Sequence, residues 1–350
     1  MSLSLASPAL STEVVALAQA LGRVTAEDVF CPLDLPGWDT SSVEGYALRA
    51  AAVPEQGGYL GLGSEALPVA AGMPLPPGTD SVVPQMRCRV YGSRLWCPPL
   101  RAGEHVRPRG EELQRGQRVL CAGQRLRAQE LGLLAAAGIP RVKVYRALRV
   151  CLLNGGDGLR EPGESLARGQ VFNSNRYLVA ALLRRWGVEV QDYEVLVDAL
   201  TSSQDALALA ASECDVLLST GGASAGEKNP LEQLGKPWIG LPRNPADALV
   251  TTLVVVRPFL LRAQGAQRVS PTPASVPAGF DWLTPDTRRH YLLARLSPSL
   301  DGQLRAILHP QQNPPLLTAA CWADGLVIVE ADQQVFKGTP VPYLSFADFH

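Results

Sequence analysis

Between residues 148 and 264, short apolar runs alternate with helix-like segments, and this rhythm constrains the chain more than any other feature. Leu148 to Leu153 is an apolar run closed by Gly155-Gly156. Asn175 to Trp186 puts Leu178, Ala181 and Leu182 on one helical face, stops at Gly187, and gives way to the strand-like run Val188 to Val197. Strand, helix, strand in that order predicts parallel strands joined by a crossover helix, because no tight turn can join parallel strands. The rhythm continues through a helix from about Ser203 to Glu213, a strand Val216 to Ser219, a loop Thr220 to Gly226 and a strand Trp238 to Leu241. A further helix opens at Pro245, with Asn244 as its N-cap. An open α/β sheet is therefore expected over residues 146–264. Its ligands belong beyond the carboxyl ends of the strands, at loops 154–158, 220–229 and 242–245.

The flanks have a different texture. Ser11 to Leu21 carries Val14, Val15, Leu17, Ala18 and Leu21 at helical spacing, which predicts a short amphipathic helix. From Cys31 to about Arg115, β-like runs alternate with Pro and Gly: Val69 to Ala71, Ser81 to Val83, Val90 to Tyr91 and Leu95 to Cys97. A helix over Ala128 to Ala137 follows and stops at Gly138. After a turn-rich linker from Gln264 to Gly279, strand-like runs at Tyr291 to Leu296, Leu304 to Leu308, Leu326 to Val329 and Val341 to Leu344 predict a small C-terminal β-barrel.

Charge and cysteine usage narrow the function classes. With 32 basic against 33 acidic residues, the chain has no basic excess to attract nucleic acid or anionic lipid, and neither partner is expected. Locally, ten Arg and three acids lie between Arg87 and Arg127, which fits a solvated surface or a patch for an anionic ligand or partner. Seven scattered Cys without a Cys-x-x-Cys pair read as reduced, cytosolic thiols, and the four His have no metal-ligand spacing. No apolar run approaches the roughly 18 residues that span a bilayer, and the N-terminal stretch lacks the basic residues of a signal peptide. A cytoplasmic location is expected.

Thr220-Gly221-Gly222-Ala223-Ser224-Ala225-Gly226 follows an apolar strand, where small residues let successive N–H groups face an anion. Alone, the loop fits a plain tight turn equally well. Five segments in order say more: Asp34 to Tyr46, Val106 to Gln114, Gly169 to Arg176, Ser219 to Glu227 and Gly240 to Ala246. Together they span nearly the whole chain and resemble the molybdopterin molybdenumtransferase family, the MoeA and gephyrin E-domain group. The resemblance implies an L-shaped homodimer, with a helical and linker portion (8–31 plus 116–145), an inserted β-rich domain (32–115), an α/β molybdopterin-binding domain (146–264) and a C-terminal β-barrel (265–350). It also implies a reaction: adenylylated molybdopterin receives molybdenum from molybdate and releases AMP, aided by a divalent cation such as Mg2+. The implied active site lies between the α/β domain of one subunit and the β insert of the other, and pathway proteins are possible partners.

Such chemistry needs acids to hold a cation, and N–H or basic donors to hold phosphates and an oxyanion. Carried over by motif, the catalytic acids are Glu44, Glu112 and Asp198, and the metal ligands Glu44 and Asp157. The substrate-binding residues are Gly221, Gly222, Ser224, Gly226, Arg243, Asn244, Asn175 and Arg176. Several positions depart from the family pattern. Glu44 and Glu112 stand for Asp, Gly158 for Glu, Asn173 and Asn229 for Asp, and Arg243 for Gly. A Lys-Pro-Gly-Lys-Pro segment is missing between Asn229 and Gly235, where Lys236 is either a strand-edge residue or a replacement. Two readings stand: a transferase with a substituted site, or a non-catalytic paralogue acting as pterin-binding or protein-interaction scaffold.

Overall fold

The computed structural model describes residues 10–155, 158–193, 211–220, 235–299, 302–312 and 316–349. The expected helix at Ser11 to Leu21 is instead a strand, β1 (Thr12–Ala16), followed by a short 3-10 turn at Leu17–Gln19. Adjacent β-branched Val14 and Val15 favour extended backbone, and their sides alternate, Val14 exposed and Val15 buried. The strand pairs antiparallel with Arg141–Tyr145, a partner far away in sequence.

In the inserted stretch, β2 (Gly45–Leu48), β3 (Gly58–Gly61), β4 (Leu67–Val69), β5 (Ser81–Pro84), β6 (Arg89–Tyr91) and β7 (Arg94–Cys97) form two antiparallel sheets. Their orders are β4-β2-β5 and β3-β7-β6. Leu48 and Val83 from one sheet meet Leu60, Leu95 and Cys97 from the other in a shared core. Gly45 is required by this packing: a Cβ there would lie 2.0 Å from the Val83 carbonyl oxygen and 3.0 Å from the Pro84 Cα. Backbone cannot move aside as a flexible side chain can. Gly45→Ala is expected to destabilise the chain by about 2 kcal/mol or more, the order of an overpacked core. Urea denaturation against wild type measures it, and an unchanged midpoint would refute the account of Gly45.

The expected helix at Ala128 to Ala137 is present as α1 (Ala128–Ala136), and Gly138 at φ +74° leads out of it to β8 (Arg141–Tyr145), the partner of β1. Next come β9 (Arg149–Asn154), α2 (Ser174–Arg185), β10 (Glu189–Tyr193), β11 (Val216–Thr220), β12 (Trp238–Leu241) and α3 (Pro245–Thr251). One π turn carries α3 into α4 (Arg257–Ala263). The four strands are all parallel, in the order β10-β9-β11-β12. Val150 and Leu152 of β9 pack with Val179 and Leu183 of α2, whereas Cys151 and Leu153 turn to the other face. The strand is covered on both sides, as a parallel sheet requires.

Beyond α4, β13 (Ala274–Pro277), β14 (His290–Pro298), β15 (Leu304–Leu308), α5 (Leu317–Trp322), β16 (Gly325–Val329) and β17 (Pro340–Ser345) complete the chain. The antiparallel sheet runs β13-β17-β16-β14-β15 and curls so that its edges approach, with Gly279 N–H donating to the Ala306 carbonyl at 2.8 Å. The result is a half-barrel. Its first strand lies inside the expected linker Gln264 to Gly279, and α5 was not expected. The C-terminal turn then packs back on the α/β core, where Trp186 Nε1–H donates to the Phe349 carbonyl at 2.6 Å.

Half of the arginines in the Arg-rich stretch pair with acids. Arg107 meets Glu111, Arg109 meets Asp34, Arg118 meets Asp28, Arg127 meets Glu130 and Arg87 meets Glu104. Five of the ten guanidinium groups are thereby balanced, which favours the solvated-surface reading. Among the described residues, no helix is long and apolar enough to cross a membrane, and no group of three His, Cys, Asp or Glu comes together to hold a metal.

Candidate functional site

The order β10-β9-β11-β12 reverses direction between β9 and β11, and a ligand crevice is expected at the carboxyl ends of those two strands. A cavity of about 490 Å³ opens there. Gly155 and Thr220 from the two strand ends line it, together with Gly158, Gly169, Val171 to Asn175, Arg243 and Pro245. Described parts of all three loops expected from the sequence therefore reach one cavity.

Each wall has a local cause. Asn244 caps α3, its Oδ1 accepting from the N–H groups of Ala246 and Asp247 at 2.9 and 3.1 Å, with Pro245 in the first turn. That cap turns Arg243 toward the cavity. Arg243 has no hydrogen-bonded or ion-paired acid for its guanidinium among the described residues. Across from it, Asn175 in the first turn of α2 donates its Nδ2 to the carbonyls of Pro242 and Arg243 at 3.2 and 3.1 Å. Its Oδ1 is buried without a partner among the described residues, and Asn175 itself is 8% exposed. Arg243 and Asn175 thus line the same space.

Behind the cavity runs a polar network. Thr220 donates to Asn154 Oδ1 at 2.9 Å, Asn154 reaches Asp192 at 3.4 Å, and Asp192 receives Arg176 Nε at 3.0 Å. Arg176 continues to Glu161 at 3.0 Å, where Tyr177 also donates at 2.7 Å. Burial pushes the Glu161 carboxyl up, but hydrogen bonds from Tyr177, Arg176 and Asn173 outweigh it and hold the group below the ordinary range. Asn173 still caps α2, accepting from the Arg176 N–H, and its Nδ2 faces Glu161. An Asp at this position would set a second carboxylate against Glu161. The exchange removes a charge that this site does not favour.

The residues expected from sequence divide accordingly. Asn175 and Arg243 line the cavity. Asn244 positions it as a helix cap. Arg176 is committed to Asp192 and Glu161 behind it and does not line it. Glu44 and Glu112 lie in the inserted stretch, exposed and away from the cavity walls, with Glu112 4.0 Å from Arg107. Asp157, Asp198, Gly221, Gly222, Ser224 and Gly226 lie outside the described residues. Of the two readings of Lys236, the structure favours the first: it precedes β12, at the opposite end of the sheet, and donates to the Cys214 carbonyl at 3.0 Å. It is the strand-edge lysine. The network of Thr220, Asn154, Asp192 and Glu161 was not foreseen; polar residues ending apolar strands were its only trace in the sequence.

Comparison with known proteins decides the family. Residues 1–138 match the family described as "MoeA N-terminal region (domain I and II)", residues 162–235 the "Probable molybdopterin binding domain", and residues 275–346 the "MoeA C-terminal region (domain IV)". The molybdopterin molybdenumtransferase of Haemophilus influenzae is 32% identical, over 73% of this chain and 74% of that one. The chain belongs to the MoeA family. The Nostoc molybdopterin molybdenumtransferase is 31% identical, over 73% of this chain and 70% of its own length. In structure, the molybdopterin biosynthesis MoeA protein of Pyrococcus horikoshii superposes with a TM-score of 0.80 at 24% identity, covering 96% of this chain and 95% of that one. At that identity the likeness speaks for the MoeA fold alone.

A second cavity of about 660 Å³ lies on the other side of the 242–247 segment. Pro242 and Asp247 line it with Arg288, Arg289 and His290 of the C-terminal sheet. Burial raises the Asp247 carboxyl there. The MoeA motif Leu241-Pro242-Arg243-Asn244-Pro245 is thus the wall between two cavities, presenting Pro242 to one and Arg243 to the other.

Proposed function

We propose that this chain acts in molybdenum cofactor biosynthesis as a molybdopterin molybdenumtransferase, inserting molybdenum from molybdate into adenylylated molybdopterin with release of AMP. The observation that carries the reading is Arg243, a guanidinium without an acid partner among the described residues, in a cavity at the sheet's switch point in a MoeA-family chain. A phosphate or oxyanion suits that group, since a planar fork donates two hydrogen bonds to adjacent oxygens. The transferase names of the relatives favour this reading over a non-catalytic scaffold.

Mg2+ does not fit the described residues of one chain. Glu44 and Glu112 are not brought to the cavity, and Asp157 and Asp198 lie outside the description. The separation of Glu44 from the cavity supports a homodimer in which the inserted stretch of one subunit completes the cavity of the other. This reading places the chain in the cytoplasm, where pathway enzymes would supply the adenylylated substrate.

Co-expression of differently tagged Glu44→Ala and Arg243→Glu chains tests the arrangement. Each variant alone is expected to lose AMP release. Mixed dimers keep one site with both residues native and should recover about half of the wild-type activity per dimer, as expected where each site combines residues of two copies. Isolated mixed dimers as inactive as the single variants would refute the shared site.

A further inference from the structure

The inserted β sheet sets two thiols directly opposite each other. In the β6–β7 hairpin, Tyr91 pairs with Arg94, Val90 with Leu95 and Arg89 with Trp96. One step further along the same register stand Cys88 and Cys97, and Cys88 keeps an extended backbone at φ −104° and ψ 160°. The neighbouring strand fixes what kind of pair this is. The Ser93 carbonyl accepts from Leu62 on the β3 side, and Cys97 pairs with Gly58 of β3. The Cys97 carbonyl oxygen would lie 2.9 Å from a Cβ at Gly57. Alternation along β7 therefore turns the backbone groups of 93, 95 and 97 toward β3. Cys88 donates its N–H to the Gln85 carbonyl at 3.1 Å rather than across the hairpin. Cys88 and Cys97 are consequently a non-hydrogen-bonded pair, whose Cα atoms stand about 4.5 Å apart with side chains on one face. A disulfide bridges Cα separations of roughly 4.4–6.8 Å. Both thiols are free, Cys97 buried and Cys88 half-buried, in the shared core of the two sheets.

We propose that Cys88 and Cys97 are a redox modification site that closes reversibly to a cross-strand disulfide, apart from the substrate cavity. The oxidant is a small disulfide of the glutathione type. Cys88, the more accessible sulfur, loses its proton and attacks one sulfur of the small disulfide, releasing one small thiolate and forming a mixed disulfide. Cys97 loses its proton and attacks the Cys88 sulfur, releasing the second small thiolate. Two protein thiols are oxidised by two electrons, the small disulfide is reduced, and the two protons end on the released thiols. The bond anchors the turn Gln85–Arg87, whose Gln85 N–H supports the Glu44 carbonyl at 3.1 Å. Burial pushes the Cys88 thiol up to about 11 and raises Cys97 as well, so the attacking thiolate is scarce at neutral pH. Exchange should accelerate about tenfold per pH unit below that value. The other neighbouring pair, Cys151 and Cys214, is fully buried and offers no such entry.

The test treats the full-length chain with oxidised glutathione at mildly alkaline pH, blocks remaining thiols by alkylation and maps linked peptides by mass. The expected product joins the Cys88 and Cys97 peptides with loss of two hydrogens, is reversed by dithiothreitol, and forms faster as pH rises. In Cys88→Ser and in Cys97→Ser that product is absent. The wild-type map decides even where a variant folds poorly: Cys88 and Cys97 both recovered alkylated, or Cys88 recovered only as a lasting glutathione adduct, would overturn the proposal.

Discussion

Arg243→Glu is expected to weaken binding of adenylylated molybdopterin by about a hundredfold while leaving the fold intact. The lost contact is a charge-assisted hydrogen bond worth about 1.5–3 kcal/mol, or roughly 10- to 150-fold in affinity, and the reversed charge adds repulsion. The fold should tolerate the change because Arg243 is exposed and its guanidinium balances no acid among the described residues; a surface-like substitution of this kind stays within about 0.5 kcal/mol. Titration calorimetry reads the affinity and urea denaturation the stability. Arg243→Lys should recover part of the affinity, since it keeps the charge and loses the two-pronged geometry. Unchanged affinity in Arg243→Glu would mean that this arginine fills space and holds no anion.

Asp215→Ala carries the largest expected effect on stability. Asp215 is 8% exposed and accepts from both terminal nitrogens of Arg146, at 2.7 and 2.6 Å, and from the Arg149 N–H at 2.9 Å. These bonds join the connection between β8 and β9 to the residue just before β11. Removing the acid leaves the partly exposed Arg146 and the Arg149 N–H without it, at a cost of about 2–3 kcal/mol, below that of a fully buried pair. The pH dependence follows from the same contacts. Burial pushes the carboxyl up, but the Arg146 hydrogen bonds, the Arg149 N–H and both guanidinium charges outweigh it and hold the carboxyl below the ordinary carboxylate range. A group whose folded value is depressed stabilises the native state above its unfolded value and loses that contribution as pH falls through the folded one. Wild type should thus lose stability below about pH 4 through this group, and Asp215→Ala should lack that portion of the acid sensitivity. An unfolding midpoint in urea equal to wild type at neutral pH would contradict the assignment.

The parallel sheet was legible because its signals are local. Leu148 to Leu153, the helix ending at Gly187, and the Asn244-Pro245 start each announce themselves within a dozen residues, and β9, α2 and α3 lie where the pattern puts them. The N-terminal strand was not legible. Five apolar residues at helical spacing suggested a helix, whereas pairing with β8, beyond the entire insert, decided for a strand. β13 was hidden by the prolines around it, which suit an edge strand as well as a linker. The same division holds at the cavity. Arg243 and Asn175 sit in recognisable motifs, but the link from Asn154 through Asp192 to Arg176 exists only because β9 and β10 run parallel with Leu152 opposite Asp192. The substitution at Asn173 looked like a loss in sequence, yet Glu161 beside it makes an amide the better neighbour.

Molybdate-dependent release of AMP is the most direct measurement of the central claim. Purified full-length chain, adenylylated molybdopterin and molybdate are mixed with Mg2+ supplied, and AMP is quantified over a single turnover. The expected result is about one AMP per site, matched by molybdenum retained on molybdopterin, and absent without molybdate or in Arg243→Glu. Tight binding of adenylylated molybdopterin with no AMP released at any molybdate concentration would contradict the transferase reading.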